Sequence, residues 1–285
     1  MTSDRAPQPV LQAHQVTLAY DRHVVARDVS LDVPVGGFTA IIGPNGCGKS
    51  TLVRALGRIL RPVSGRVTLD GRPLGDYSSK EVAQSIALLP QSPTTPSAIA
   101  VGDLVARGRF AHQTFWRQWS ADDADVVDRA LGLVGMRDHA DALVEELSGG
   151  QRQRVWIAMA LAQDTPILLL DEPTTYLDVV HQLDVLDLCA RLHAQGRTLV
   201  AVLHDLNLAA RYATHIVAMK AGAIITQGTP GEVITETTLA EGFGLDAAVV
   251  PDPETGTPHV VPRTRQPSSE AAPTLTTTVS RKDMS

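Results

Sequence analysis

Four short apolar runs recur along the chain and predict the strands of a sheet that is covered on both faces. They occupy residues 38–42, 86–89, 167–170 and 198–203. Residues 15–19 and 29–33 instead alternate apolar and polar positions, which predicts antiparallel strands with one face towards solvent. Further short strands are expected at residues 66–69, 216–219 and 223–226. The pattern therefore predicts a mixed central sheet together with an antiparallel β subdomain.

Helical patterns separate these strands. Segments that begin helices stand at residues 120–123, 147–150 and 229–232. The first and last of them have the spacing of a capping box. A helix expected at residues 181–195 is closed by Gly196. Strand patterns are absent from about residue 92 to 146, so the fold class is α/β with an inserted helical subdomain, which spans about residues 92–163 with its exit helix.

Composition limits the classes of protein that this sequence can represent. Of its 285 residues, 44% are hydrophobic and 20% charged, which is ordinary for a globular domain with a sizeable core. No apolar run approaches the roughly 18 residues that would span a bilayer, and residues 1–9 lack the apolar stretch of a secretory signal. The formal net charge of −6 disfavours nucleic acid as a partner, and two cysteines do not make a disulfide framework. Residues 1–9 and 263–285 are expected to be disordered.

A glycine-rich loop follows the first apolar run and leads into a helix. It reads Gly43, Pro44, Asn45, Gly46, Cys47, Gly48, Lys49, Ser50 and Thr51. This sequence satisfies G-x-x-x-x-G-K-[ST], in which backbone N–H groups and the positive end of a helix form a phosphate cradle. Lys49 is expected to reach the β- and γ-phosphates, and the Ser50 hydroxyl to ligate Mg²⁺. Cys47 is interpreted as a small residue that fits the cradle, with the further hypothesis that the same donors favour its thiolate. An ordinary glycine-rich turn is the alternative, and the flanking strand and helix disfavour it.

An acidic pair, Asp171 and Glu172, follows the apolar run at residues 167–170. The carboxyl ends of parallel strands meet at one edge of a sheet, so both carboxylates are expected beside the phosphate cradle. Asp171 suits Mg²⁺, held directly or through water, and Glu172 is placed to act as a general base on the attacking water. The alternative is a plain acidic loop before Pro173.

A second glycine-rich helix start stands at residues 147–151. Its Ser148, Gly149, Gly150 and Gln151 could also hold phosphate oxygens through backbone N–H groups. One nucleotide needs one cradle, so this site is surplus within a single chain. A second copy resolves the difficulty, because the cradle of one subunit and the glycine-rich cap of the other can share a nucleotide in a head-to-tail homodimer.

Together these segments resemble the ATP-binding-cassette (ABC) ATPase family, a group of P-loop NTPases, over about residues 10–262. Residues 43–51 resemble its Walker A motif, residues 167–172 its Walker B motif, and residues 147–151 its signature. The resemblance implies that ATP and Mg²⁺ are the cofactors.

The resemblance also implies roles for residues whose function the local sequence alone does not indicate. It implies that Gln91 is a Mg²⁺ and water ligand, that His204 contacts the γ-phosphate, and that Tyr20 stacks on adenine. Residues 174–178 resemble the D-loop, which ends at Asp178. Taken by themselves, Gln91 could be an ordinary loop residue, His204 a neighbour of a helix cap, and Tyr20 a packing residue.

The family implies a peripheral ATPase subunit at the cytoplasmic face of a membrane importer. ATP would close the dimer and hydrolysis would reopen it. The partners would be integral permease subunits, docked on residues 92–146, and indirectly an extracytoplasmic substrate-binding protein. Residues 107–113, 163–166 and 174–182 resemble the importers of iron-siderophores, haem or cobalamin, and ferric-siderophore import is the favoured interpretation.

Three other classes stay open at this stage. A cytosolic member of the family could act on ribosomes, DNA repair or iron–sulfur assembly, but the single cassette, the lack of a coiled-coil insertion and the acidic charge disfavour it. A nucleotide-binding module without hydrolysis is opposed by the joint presence of Lys49, Glu172 and His204. Exporter ATPases are normally fused to membrane helices, for which this sequence has no candidate run.

Overall fold

The computed structural model describes residues 9–113 and 119–264. Its strands are β1 (Pro9–Tyr20), β2 (His23–Pro34), β3 (Phe38–Ile42), β4 (Ser64–Leu69), β5 (Arg72–Pro73), β6 (Ile86–Leu89), β7 (Ile167–Leu170), β8 (Thr198–Val202), β9 (His215–Lys220), β10 (Ala223–Gly228), β11 (Ala247–Pro251) and β12 (Pro258–Pro262). Its α-helices are α1 (Lys49–Leu56), α2 (Ser79–Ser85), α3 (Val101–Ala106), α4 (Ala121–Leu133), α5 (Gly149–Ala162), α6 (Val179–Ala194), α7 (Leu206–Tyr212), α8 (Pro230–Val233) and α9 (Glu236–Thr238). The disorder expected of residues 1–8 and 265–285 lies outside the described residues.

The main sheet has six strands in the order β10-β9-β3-β8-β7-β6. All neighbours pair in parallel except β10, which runs antiparallel to β9. Alternate residues of β3 enter two hydrophobic clusters, with Ala40 and Ile42 on one face and Ile41 on the other. The carboxyl ends of the parallel strands meet at one edge. The mixed α/β fold expected from the sequence is confirmed.

A second sheet, in the order β2-β1-β4-β5, is antiparallel throughout. It shares one hydrophobic cluster with α1 and with the main sheet. Leu52, Val53 and Leu56 of α1 are fully buried in this cluster. Because α1 is held between two sheets, the loop that precedes it is anchored at both ends.

Helices α3, α4 and α5 pack together as the expected helical subdomain. A buried ion pair ties it together, because Nε of Arg109 donates to Oδ1 of Asp123 at 2.8 Å and Nη1 donates to the carbonyl of Ala162 at 2.9 Å. The hydrogen bond from Arg109 holds the pKa of Asp123 below its usual range. One guanidinium therefore links the segment after α3, the start of α4 and the end of α5.

Several elements of the structure were not predicted from the sequence pattern. Helices α2, α3 and α7 have six or seven residues, too few to display a clear helical period. Strand β1 begins at Pro9, and Arg263 pairs with Asp246 at 2.8 Å and with Glu236 at 3.2 Å. The domain limits of about 10 and 262 stay a prediction. Within the two described ranges, no helix is long and apolar enough to cross a membrane.

Candidate functional site

The glycine-rich loop joins β3 to α1 at the carboxyl edge of the main sheet. Gly43 (φ 152°) leaves no room for a side chain, because a Cβ atom would lie 2.3 Å from the carbonyl oxygen of Met219. Gly46 and Gly48 have φ values of 74° and 102°, which favour glycine. Gly48 is also the N-cap of α1 and provides no side-chain cap. The amides of the first turn of α1 are therefore left for a ligand, as a phosphate cradle requires.

Lys49 is held against this loop. Its Nζ donates to the carbonyls of Gly43 at 2.8 Å and Pro44 at 2.9 Å, and the residue is 4% exposed. The ammonium group thus lies at the cradle and is satisfied by two neutral acceptors. A phosphate group would offer it a charged acceptor in their place, and charge-assisted hydrogen bonds are stronger.

Asp171 follows β7 and is completely buried. Neither carboxylate oxygen makes a hydrogen bond of normal geometry to a described residue, and burial raises the pKa of this carboxyl group, an effect that the nearby Ser50 side chain partly offsets. A buried carboxylate next to a hydroxyl and without a partner is a suitable ligand set for Mg²⁺, which takes one or two protein oxygens together with substrate phosphates. The residues present therefore fit the ion that the sequence predicted.

Glu172 and His204 meet at the same edge. Nε2 of His204 lies 2.9 Å from Oε1 of Glu172, and Oγ1 of Thr175 donates to Oε2 at 3.1 Å. Glu172 has a φ of 56°, which is rare for a residue other than glycine and recurs at functional sites. The carboxylate is thus oriented by partners on both oxygens. Thr175 carried no signal in the sequence beyond its position in the D-loop.

Gln91 lies beside this group, two residues after β6. The amide of Asp171 donates to the carbonyl of Leu89 at 2.9 Å, and the backbone amide of Gln91 faces the carboxylate of Asp171. Tyr20 ends β1, is 41% exposed, and its hydroxyl accepts from Nη1 of Arg54 at 3.1 Å. The geometry thus places Gln91 next to Asp171 and links Tyr20 to α1. The stacking of Tyr20 on adenine stays a prediction.

The second glycine-rich segment starts α5 on an exposed surface. Ser148 and Gln151 form a capping box, in which the amide of Gln151 donates to Oγ of Ser148 at 3.2 Å and Oε1 of Gln151 accepts from the amide of Ser148 at 3.0 Å. Gly149 has open space around its Cα atom. No hydrogen bond or ion pair within the described part of the chain joins residues 147–151 to the cradle. The two glycine-rich segments are therefore separate sites in one subunit.

The D-loop is tied to the helix that follows this second site. Nε2 of Gln153 on α5 donates to the carbonyl of Pro173 at 3.1 Å, and a Cβ atom at Gly150 would lie 3.2 Å from the side chain of Leu177. Asp178 caps α6 by accepting from the amide of His181 at 2.9 Å, which lowers the pKa of its carboxyl group. The sequence did not indicate Gln153, whose amide connects the helical subdomain to the acidic pair.

The hypothesis that Cys47 is held as a thiolate is wrong. The side chain is buried, and burial raises the pKa of its thiol, although Lys49 acts in the opposite direction. Loss of hydration outweighs the favourable donors at this position. Cys47 therefore serves the cradle as a small apolar residue and not as a thiolate.

The phosphate cradle, the buried carboxylate and the paired glutamate and histidine at one sheet edge define a nucleotide-hydrolysing P-loop enzyme. Residues 26–175 match the family model described as ABC transporter. The Ferric enterobactin transport ATP-binding protein FepC of Escherichia coli (strain K12) is 50% identical over 262 residues, which are 92% of this chain and 97% of that protein. The Iron(3+)-hydroxamate import ATP-binding protein FhuC of Bacillus subtilis (strain 168) is 47% identical over 249 residues, which are 87% and 93% of the two chains.

Solved structures agree with this assignment. A bacterial ABC transporter cassette solved as a dimer aligns with a TM-score of 0.70 at 27% identity, and the match covers 77% of this chain and 98% of the cassette. This chain belongs to the ABC transporter family. It is an ATPase, and ATP is its nucleotide.

Proposed function

We propose that this chain is the ATPase subunit of a ferric-siderophore importer, peripheral to the cytoplasmic face of a membrane. Two relatives that match most of the chain are named for ferric enterobactin and iron(3+)-hydroxamate, which are both iron chelates. Two copies close on ATP, and hydrolysis lets them reopen. This movement drives a permease made of separate membrane-spanning subunits.

The observation that carries the catalytic part is the buried carboxylate of Asp171 beside the cradle, which makes no hydrogen bond of normal geometry to a described residue. Ser50, Asp171 and Gln91 would hold Mg²⁺, which would offset the negative charge of the phosphates. Lys49 moves from the loop carbonyls to the phosphates. Glu172 accepts the proton of the attacking water, and His204 keeps that carboxylate in place and contacts the γ-phosphate.

A head-to-tail homodimer is proposed from the exposed surface around the D-loop. Tyr176, Val179 and Val180 are 80%, 71% and 67% exposed, although all three are apolar or aromatic. They adjoin Asp178, and Ser148 is also exposed. Large apolar side chains next to free backbone donors are suited to a partner subunit, and the cap at Ser148 to Gln151 would then close over the partner's nucleotide.

A groove of about 700 Å³ is the proposed permease site. It lies between the end of α1, α2 and β6 on one side and α5 on the other, and Ile59, Trp156 and Met159 line it. Pro90, Pro93 and Thr94 bring the loop that contains Gln91 to its edge. The proposed docking site thus includes only the start of the segment at residues 92–146. Most of its lining belongs to elements outside that segment. A permease helix in this groove would contact the loop of Gln91 directly.

Growth of a strain that lacks this chain tests the function. The strain should fail to grow on iron supplied as a siderophore chelate, should recover with abundant free iron, and should be complemented by the wild-type chain but not by Glu172→Gln. Normal use of every siderophore, with a defect in haem or cobalamin use, would identify haem or cobalamin as the cargo and keep the importer function. A defect in translation, DNA repair or iron–sulfur assembly would reject import altogether.

A second measurement tests the partners without knowledge of the cargo. The intact complex, extracted in detergent and purified through this chain, should contain integral membrane subunits. Ile59→Glu, which places a charge in the proposed groove, should release those subunits, whereas Val261→Glu on the exposed β12 should retain them. Retention by both variants would contradict docking in the groove.

A further inference from the structure

In one long stretch of the chain, all the charged residues are basic. Residues 33–69 contain no aspartate or glutamate, although the whole chain has a formal net charge of −6. Its basic residues are Lys49, Arg54, Arg58, Arg61 and Arg66. The first two have partners, since Lys49 binds the loop carbonyls and Arg54 donates to Tyr20. The other three remain to be explained.

Arg58, Arg61 and Arg66 converge on one concavity between the end of α1 and β4. The concavity has a volume of about 550 Å³, and no acidic residue lines it. All three arginines are exposed, and none forms an ion pair or a side-chain hydrogen bond with a described residue. Guanidinium groups gathered without counter-charges produce a positive potential that suits an anionic partner.

Two large apolar side chains lie among these arginines. Ile59 and Val63 are each 69% exposed. Their backbone is fixed, because the amide of Ile59 donates to the carbonyl of Arg54 at 2.8 Å and that of Val63 to the carbonyl of Thr17 at 2.8 Å. We call Arg58, Ile59, Arg61, Val63 and Arg66 the rim patch. Exposed aliphatic groups interleaved with arginines are typical of surfaces that lie in the headgroup region of anionic membranes.

The rim patch borders the proposed permease groove, because Arg58 and Ile59 line that groove as well. We infer that the rim patch binds anionic phospholipid headgroups beside the permease. Its orientation towards the bilayer rests on the proposed function, since a subunit docked on a permease turns this face to the membrane. Lipid contact would hold the subunit at the membrane surface while the two copies open and close.

Vesicle co-sedimentation of the purified full-length chain tests the inference. The wild-type chain should bind vesicles that contain about 30% phosphatidylglycerol in phosphatidylcholine, and binding should weaken strongly between about 0.05 M and 0.5 M salt. The triple variant Arg58→Gln, Arg61→Gln, Arg66→Gln should lose about 100-fold in partition coefficient, since each arginine near an anionic surface contributes roughly fivefold. Vesicles of phosphatidylcholine alone should bind neither protein.

A matched control removes the same charge elsewhere, through Arg27→Gln, Arg129→Gln and Arg191→Gln at exposed positions outside the rim patch. It should bind the anionic vesicles within about threefold of the wild type, because charges more than a Debye length from the surface are screened. Equal loss in both triple variants, or no binding by the wild type, would overturn the inference. So would a rim variant that binds vesicles normally but loses the permease in detergent, because the patch would then recognise an acidic protein loop.

The outcomes separate this inference from the function on which it rests. The rim variants Arg61→Gln and Arg66→Gln, which lie outside the proposed permease groove, and the control triple variant should keep the ATPase rate of the wild-type chain, since none of them touches the cradle or the acidic pair. Vesicle binding through the rim patch combined with a defect unrelated to import would reject the importer and retain the lipid contact. Siderophore-dependent growth without specific vesicle binding would retain the importer and reject the lipid contact.

Discussion

Glu172→Gln is the most informative change to this site. It keeps the length and shape of the side chain, and the amide oxygen can still accept from Thr175, which donates to Oε2 at 3.1 Å in the wild type. What it removes is the carboxylate proposed to receive the proton of the attacking water. General-base catalysis is worth about 10²- to 10⁴-fold in rate, so the hydrolysis rate should fall by that factor.

The structure predicts that the fold survives this substitution. The lost contact is the pair of Glu172 with His204 at 2.9 Å, and the side chain of His204 is 43% exposed. The side chain of Glu172 is only 11% exposed, but the glutamine amide can still hydrogen-bond the imidazole, so the loss should be about 1 kcal/mol. The melting temperature should therefore change by no more than about 4 °C. Affinity for ATP should persist, because Lys49, Ser50 and Asp171 are unchanged.

Two assays on the purified chain check these expectations. Single-turnover hydrolysis should be slower by the factor above, and light scattering should show two copies in ATP and one in ADP, because the closed pair cannot proceed to hydrolysis. Glu241→Gln makes the same chemical change at an exposed position away from the site and should behave as wild type. A Glu172→Gln rate within about threefold of wild type would refute the role of this residue as general base.

Four further outcomes follow from the same geometry. Lys49→Ala should weaken ATP binding about 10- to 100-fold by titration with a fluorescent analogue, since it removes a charge-assisted contact with phosphate. Adding Ser148→Arg to Glu172→Gln should abolish the ATP-dependent dimer in light scattering, because it fills the proposed phosphate cap. Asp123→Ala should cost about 3–5 kcal/mol in urea unfolding, because it leaves Arg109 buried without its partner. Truncation after residue 265 should leave the ATPase rate within about twofold of wild type, because the tail has few large apolar residues to dock.

The strands that hold the site could be predicted with little error. The expected ranges 38–42, 86–89 and 167–170 coincide with β3, β6 and β7. Apart from Thr39, these runs are apolar at every position, and they end at glycine, proline or acidic residues, so that both their pattern and their limits are marked in the sequence. The capping boxes at Ser120 and Thr229 also form as expected.

Contacts between elements were harder to predict from the sequence. The pair of Glu172 and His204 depends on β8 lying directly beside β7, and no local pattern specifies the order of parallel strands. Arg109 and Asp123 each look like surface residues in the sequence, because burial of a charge becomes favourable only when its partner is present. The hairpin of β11 and β12 was also missed, since its packing on α7 is what stabilises two short strands with exposed prolines.

The charges of this site suit a bound nucleotide. Within the described residues no hydrogen bond of normal geometry reaches the buried carboxylate of Asp171, and the ammonium of Lys49 is held by neutral carbonyls. A buried carboxylate in this condition is unfavourable by about 1–3 kcal/mol or more. A nucleotide would offer Lys49 charged phosphate acceptors, and a metal ion held by Asp171 would offset the cost of burying its carboxylate. Because Gln91 and the Gln153 contact with Pro173 connect this carboxylate to the helical subdomain, we expect a change of charge at the cradle to alter the surfaces proposed for the second copy and the permease.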